Sequence, residues 1–165
     1  MSPLKRITLL LAVITLLGCL GCAKRIGATY DPFFLFPATA HWAWDEELNR
    51  IPDDPSMDTL NIPTIVRELI TYGLAKRGYM MASEGEKVDF RVHYQIGIGR
   101  RISTSSVTGY GSLSLTLVDN TTDRDVWLGF VKTNVDVSVS EANRRMRLEK
   151  EINQMLRKFP PSQPR

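Results

Sequence analysis

The chain has 165 residues, of which 43% are hydrophobic and 24% are charged; this composition excludes a disordered chain and favours one domain with short appendages. Its formal net charge is +3, but removal of Lys5 and Arg6, which lie in the leader described next, leaves nineteen basic residues against eighteen acidic ones. The charge therefore gives no reason to expect a nucleic-acid partner.

The first eighteen residues have the pattern of a bacterial export signal. A short basic segment is followed by the apolar run Ile7–Leu17, which fits a signal peptide but is too short to span a bilayer. The run ends in Leu16-Leu17-Gly18-Cys19, which resembles a lipobox, the motif at which a cysteine is diacylated and becomes the mature N-terminus. We expect a lipoprotein signal peptide at residues 1–18 and a lipidated tether at residues 19–29.

Cys19 and Cys22 are the two candidates for lipid attachment. Cys19 has Leu16 three positions before it, as lipoboxes prefer, whereas Cys22 has a cysteine there. Acylation of Cys19 would, however, leave Cys22 as a lone thiol in an oxidising compartment. We take Cys19 as the attachment site and Cys22 as the alternative; because no other cysteine is present, neither choice allows a disulfide within the domain.

An aromatic strand is predicted from Phe33 to Trp44, where every second residue from Phe34 onward is apolar. Pro37 makes this an edge strand or a bent one, because proline cannot donate to a neighbouring strand. We expect the aromatic face to lie in the core, with a groove lined by Trp42 or Trp44 as the alternative.

A first helix is predicted after the polar loop at residues 45–56. It begins near residues 58–63, where Asp58 or Asn61 can cap it and Pro63 is tolerated in the first turn. It ends at Lys76-Arg77-Gly78, because cations suit the negative end of a helix and glycine suits a left-handed cap.

Three strands between Val88 and Asp136 organise the chain. Apolar and polar residues alternate along Phe90–Ile98 and again along Gly111–Leu117, and a third apolar run, Val126–Val131, follows the polar turn at residues 119–124. This pattern predicts an antiparallel meander with one dry face and one wet face.

The connection Gly99–Thr108 is longer and more polar than a hairpin needs. It is the best candidate for a mobile binding loop, although a plain connection is the simpler interpretation. Its candidate binding residues are Arg100, Arg101, Ser103, Thr104, Ser105 and Ser106.

A second helix completes the predicted fold. Ser138 and Glu141 have the spacing of a capping box, and Pro160-Pro161 stops the helix after about Lys158. The elements give an α+β class in the order β-α-β-β-β-α. We expect a four-stranded sheet with both helices on one face, because each helix has a single apolar side.

The sequence contains no catalytic or metal-binding motif. His41 and His93 lie in strand patterns without neighbouring ligands at metal spacing, so no metal and no cofactor are expected. The aspartates around residues 119–125 do not match a calcium loop and are expected to cap a turn. A Ser-His pair between His93 and the serines of residues 103–106 depends on geometry that a sequence does not show. We therefore predict that the protein is not an enzyme.

Several short fragments in order resemble a family of bacterial lipoproteins known only as domain of unknown function 4136. The resemblance covers about Tyr30 to Pro161, and His41 departs from the family's usual tyrosine. It implies an envelope lipoprotein and no activity, because the family has none assigned. The matching fragments are Tyr30-Asp31-Pro32, His41-Trp42-Ala43-Trp44, Leu74-Ala75-Lys76-Arg77-Gly78-Tyr79, Val88-Asp89-Phe90-Arg91-Val92-His93-Tyr94, Gly111-Ser112-Leu113, Val118-Asp119, Val126-Trp127-Leu128-Gly129 and Phe159-Pro160-Pro161.

These observations predict a lipid-anchored envelope protein that binds a protein or a glycan. The residue after Cys19 is leucine and not the aspartate of an inner-membrane retention signal, so the periplasmic face of the outer membrane is the expected location. The folded domain is expected at residues 30–161, followed by a disordered tail at residues 162–165. The alternative is a small hydrolase, or a carrier of lipid or another ligand, with a closed pocket.

Overall fold

The structure is a computed structural model that describes residues 26–53, 61–102, 107–135 and 140–161. The predicted signal peptide, the candidate cysteines Cys19 and Cys22 and the predicted tail lie outside these residues. In chain order the elements are β1 (Ile26–Tyr30), β2 (Ala40–Trp44), α1 (Ile62–Ala75), β3 (Tyr79–Met81), β4 (Phe90–Ile102), β5 (Val107–Asp119), β6 (Arg124–Val135) and α2 (Glu141–Leu156).

The six strands form one mixed sheet in the order β1-β6-β5-β4-β2-β3. The meander β4-β5-β6 is antiparallel, as predicted, and β1 pairs antiparallel with β6. β2 lies parallel to both β3 and β4. The α+β class is confirmed, but the prediction of four strands was wrong, because one further strand lies at each edge.

The first of these strands, β1, occupies residues assigned to the tether. The segment Ile-Gly-Ala-Thr-Tyr has no regular alternation of apolar and polar residues, so it carries no strand signal of its own. It becomes a strand because the free edge of β6 supplies backbone partners, from Ile26 opposite Val131 to Tyr30 opposite Trp127. Residues 26–29 of the predicted tether therefore belong to the sheet.

The predicted strand from Phe33 to Trp44 is also shorter in the structure. Only β2 is a strand, and the segment before it turns at Asp31, whose Oδ1 accepts a hydrogen bond from the Phe33 N–H at 2.9 Å. The second missed strand, β3, has only three residues, which is too short for any periodicity to be read. Tyr79 begins β3 and is fully buried.

Both predicted helices are present. Asn61 occupies the N-cap of α1 in the left-handed region, with φ of 50°, and its side chain makes no capping hydrogen bond. Gly78 follows the helix with φ of +84°, as the sequence predicts for a terminating glycine. The cap of α2 is Ser140, whose Oγ accepts a hydrogen bond from the Asn143 N–H at 3.4 Å. Ser138, the predicted cap, lies outside the described residues.

One hydrophobic core joins both helices to one face of the sheet. Alternate residues of the strands, with the adjacent Val126 and Trp127 as an exception at a register shift, meet the buried sides of α1 and α2, and the helices contact each other. Both helices therefore lie on the same face, as their amphipathic patterns predict, and the opposite face carries no described helix. No helix in the described part of the chain is both long and apolar enough to cross a membrane.

Candidate functional site

The helix-free face of the sheet carries the candidate site. On β4 and β5 it is built from the polar parity, with Gln95 opposite Ser114 and Gly97 opposite Ser112. Because these side chains are short or uncharged, they leave a depression at the centre of the face. Longer side chains from neighbouring segments border this depression.

A groove of about 400 Å³ lies there, partly open to solvent. Its lining combines two cations, an aromatic ring, an amide and two hydroxyls. The residues that supply these groups are Arg50, Lys132, Phe130, Gln95, Ser112 and Ser114.

Two glycines give the groove its shape. A Cβ atom on Gly97 would lie 2.6 Å from the Ser112 Oγ, so any larger residue would displace that hydroxyl. A Cβ atom on Gly27 would lie 2.2 Å from Cζ of Phe130. The half-buried Phe130 ring is therefore seated over Gly27 of β1, and the strand that the sequence did not predict holds one wall of the groove.

The loop after β2 brings Arg50 to the groove by backbone pairing. The Arg50 N–H donates to the Tyr94 carbonyl at 3.0 Å, and the Ile96 N–H donates to the Arg50 carbonyl at 2.8 Å. The Arg50 guanidinium in turn donates to the Glu47 carbonyl at 2.6 Å. This loop thereby extends the sheet beside β4 and forms the rim of the groove.

A charged cluster adjoins the groove on the same face. Arg91 donates to Asp45 Oδ2 at 3.1 Å and also pairs with Asp123. His93 is 8% exposed, and its Nδ1 has no hydrogen-bond partner among the described residues. Burial lowers the pKa of His93, although the carboxylates of Asp125 and Asp45 act in the opposite direction. The imidazole is therefore neutral at pH 7.

The described residues of the predicted binding loop belong to strands. Arg100 and Arg101 belong to β4, where they pair with Gly109 and Thr108 of β5, so their assignment to a loop was wrong. The long hairpin continues regular pairing to Ile102 opposite Val107. The remaining candidates, Ser103 to Ser106, lie outside the described residues, and whether any of the six binds a ligand stays a prediction.

Other residues considered in the sequence have structural positions. Trp42 is fully buried in the core, and Trp44 packs against the core and lies beneath the Arg67 guanidinium, at 4.8 Å. Asp119 accepts hydrogen bonds from the Thr122 N–H at 2.9 Å and the Thr122 hydroxyl at 2.5 Å, which confirms that it caps the turn. No three His, Cys, Asp or Glu side chains in the described ranges are placed to hold a metal ion.

Sequence reasoning did not find the groove as a site. The alternation in β4 and β5 marked Gln95, Ser112 and Ser114 as members of a wet face, and that was the available signal. Lys132 and Arg50 come from segments whose position depends on the sheet order.

Fold and groove together define a class: a small α+β domain with two helices on one face of its sheet and an open polar groove on the other. The profile of the family described as Domain of unknown function (DUF4136) matches residues 27–161. The chain belongs to this family, as the resemblance predicted.

Solved structures share the fold at low sequence identity. A DUF4136 family protein from Bacteroides thetaiotaomicron is 12% identical, with a TM-score of 0.52, over 82% of this chain and 95% of that one. PelC from Paraburkholderia phytofirmans, described as a dodecamer, is 10% identical, with a TM-score of 0.52, over 79% and 95%. A PDZ domain protein from Parabacteroides distasonis is 12% identical, with a TM-score of 0.55, over 85% of this chain but only 36% of that protein. No curated protein matches the sequence.

Proposed function

We propose that this protein is a bacterial envelope lipoprotein, acylated at Cys19 or alternatively at Cys22, that binds an envelope partner in the groove and catalyses no reaction. The anchor is supported by the lipobox pattern and by the family. The expected location is the periplasmic side of the outer membrane. The groove on the helix-free face is the single observation that carries the binding role.

The lining of the groove favours a glycan as the partner. A half-buried aromatic ring beside hydroxyl, amide and cationic groups offers an apolar surface together with a few oriented polar groups, as ligand sites commonly do. Lys132 and Gln95 are exposed, so both can reach a ligand without a change in the fold. A protein partner is the other outcome of the test.

The described groove residues do not suggest a hydrolase. Catalysis by a nucleophile needs a base within hydrogen-bonding reach, and His93, the buried neutral imidazole of this face, has no hydrogen bond to a hydroxyl through its Nδ1. The groove is also open instead of enclosed, which favours binding an extended chain over sequestering a reaction.

The test is a titration of the full chain, purified in detergent from solubilised membranes, with peptidoglycan fragments and with surface polysaccharide fragments. Lys132→Glu and Gln95→Ala should each weaken glycan binding, by about tenfold for the charge reversal. Arg157→Glu, which makes the same charge change at the exposed end of α2, should bind as the parent does.

Binding that is equal in the parent and in Lys132→Glu would contradict a site in the groove. If no glycan binds, a pull-down with the same variants decides the class of partner. A specific protein lost with Lys132→Glu but kept with Arg157→Glu would replace the glycan with a protein.

A further inference from the structure

The register of the sheet shows that the hairpin of β4 and β5 extends well past the residue at which β1 begins. Ile26 pairs with Val131, which pairs with Leu113, which pairs with Ile96. Beyond this level β4 and β5 continue in regular pairing to Ile102 opposite Val107. Six further residues of strand extend about 20 Å. We call this side of the molecule, where the chain enters β1, the proximal end.

The chain between the cysteines and β1 is too short to hold the proximal end away from a membrane. Ile26 is the seventh residue after Cys19 and the fourth after Cys22, which gives a reach of at most about 25 Å or about 14 Å. The hairpin extends beyond Ile26 by about the full length of the tether from Cys19. If Cys22 carries the lipid, the hairpin extends farther than the tether can.

The second helix begins at the same end. β6 runs toward the proximal end up to Val135, and α2 starts at Glu141 and returns, so that Met155 lies over Gly129 in the middle of the sheet. Fourteen residues of helix span about 21 Å. Measured along the strands, the first two turns of α2 consequently lie about level with the part of the hairpin that extends beyond Ile26.

Cations outnumber carboxylates in the described residues of this end. The carboxylates are Asp53, Glu68 and Glu141, of which Glu68 pairs with Arg145 at 2.8 Å. Arg147 is exposed and forms no ion pair with a described residue, and exposed Met146 precedes it. The cations outside the groove are Arg100, Arg101, Arg144, Arg145 and Arg147.

We propose that the proximal end docks on the headgroups of anionic phospholipids beside the lipid anchor. The inference rests on the anchor of the proposed function. The short tether brings the hairpin and the first turns of α2 to the headgroup layer, and basic residues near an anionic membrane surface strengthen such a contact. The helix-free groove, whose plane is parallel to the strands, then stands perpendicular to the membrane and stays open to the periplasm.

The test uses the acylated chain reconstituted in nanodiscs. A fluorophore is attached at Thr108→Cys in the hairpin or at Glu84→Cys in the turn before β4, each in a Cys22→Ser chain so that the introduced cysteine is the free thiol. A spin-labelled headgroup reports contact by quenching. With 30% phosphatidylglycerol, quenching at residue 108 should be severalfold stronger than at residue 84.

Charge reversal separates headgroup recognition from simple tethering. Arg101→Glu with Arg147→Glu should lower the ratio of docked to undocked chain by at least about fivefold for each cation removed. Arg157→Glu with Lys158→Glu, the same change at the opposite end of α2, should leave the ratio unchanged. Stronger docking with phosphatidylglycerol than with phosphatidylcholine alone is expected.

Equal quenching at residues 108 and 84, or docking that depends on neither lipid charge nor the proximal arginines, would overturn this proposal. Palmitate labelling of the same preparations reports the anchor separately. A labelled chain that does not dock overturns the docking surface alone, whereas a chain without label overturns the anchor and, with it, this inference.

Discussion

Two tryptophans and a tyrosine show how single polar atoms are accommodated in the core. The Trp42 indole N–H donates to the Tyr79 carbonyl at 3.1 Å, and the Trp127 indole N–H donates to the Lys158 carbonyl at 3.3 Å. The Tyr79 hydroxyl donates to the Pro37 carbonyl at 2.6 Å, and burial raises its pKa to about 12. Each ring thus fills the interior while its polar atom is satisfied.

His93 predicts how stability depends on pH. Burial lowers the pKa of the folded imidazole, Asp125 and Asp45 oppose this effect, and Arg91 and Arg50 add to it. The unfolded chain, with a pKa of about 6.5, therefore binds the proton more readily than the folded one. The free energy of unfolding should fall as the pH drops from about 7 through the unfolded value toward the folded pKa.

Urea unfolding of the parent and of His93→Gln between pH 5 and pH 8 measures this effect. The substituted side chain does not titrate, so its stability should change less over that range. Glu46 and Asp89, whose pKa values are lowered by Arg67 and Lys87 respectively, contribute below this window. Equal slopes in the two proteins would mean that the imidazole is protonated as easily in the folded state as in the unfolded one.

At the scale of elements, the contact between α1 and α2 depends on a glycine. A Cβ atom on Gly73 would lie 2.3 Å from Cδ1 of Leu156, and its next contact would be at 3.8 Å. Both residues are buried. One methyl group of α2 thus occupies the space that a side chain on α1 would need.

A double-mutant cycle should detect this fit. Gly73→Ala alone should destabilise the protein by about 1–3 kcal/mol through overpacking. In a Leu156→Ala background the clash is gone, and the same change should be neutral or stabilising by up to about 1 kcal/mol, since alanine favours a helix over glycine. Chemical denaturation of the four proteins gives the coupling energy; an equal cost in both backgrounds would show that the two helices do not meet at this point.

At the scale of the whole molecule, we predict that the segment with the two candidate cysteines can be altered without loss of the folded domain. The hydrophobic core formed by the described residues includes strands from both edges of the sheet. Substitution of Cys19 or Cys22 therefore removes no described core contact.

Cys19→Ser should abolish acylation while the domain still folds. Metabolic labelling with a palmitate analogue measures the first effect, and a circular dichroism melting curve equal to that of the parent measures the second. Two acyl chains are needed for stable anchoring, so the substituted protein should lose its lipid anchor. Cys22→Ser is the matched control: label kept in Cys19→Ser but lost in Cys22→Ser would move the anchor by three residues.

The sequence by itself determined the features that depend on local periodicity. Alternation in β4 and β5, helical spacing in α1 and the terminating Gly78 are properties of consecutive residues, and each predicted the observed element. The single apolar side of each helix, together with the single dry face of the meander, also indicated that both helices cover one face of the sheet. The order of short matching fragments was sufficient to indicate the family.

Only the tertiary structure decided the edges of the sheet and the groove. β1 and β3 are short and lack a regular pattern, and each is a strand because a neighbouring strand has free backbone groups to pair. Arg50 approaches Gln95 only because β2 lies beside β4, and the Phe130 ring is seated only because β1 lies beside β6. These contacts join residues far apart in the chain, and no local pattern records which edge a strand will choose.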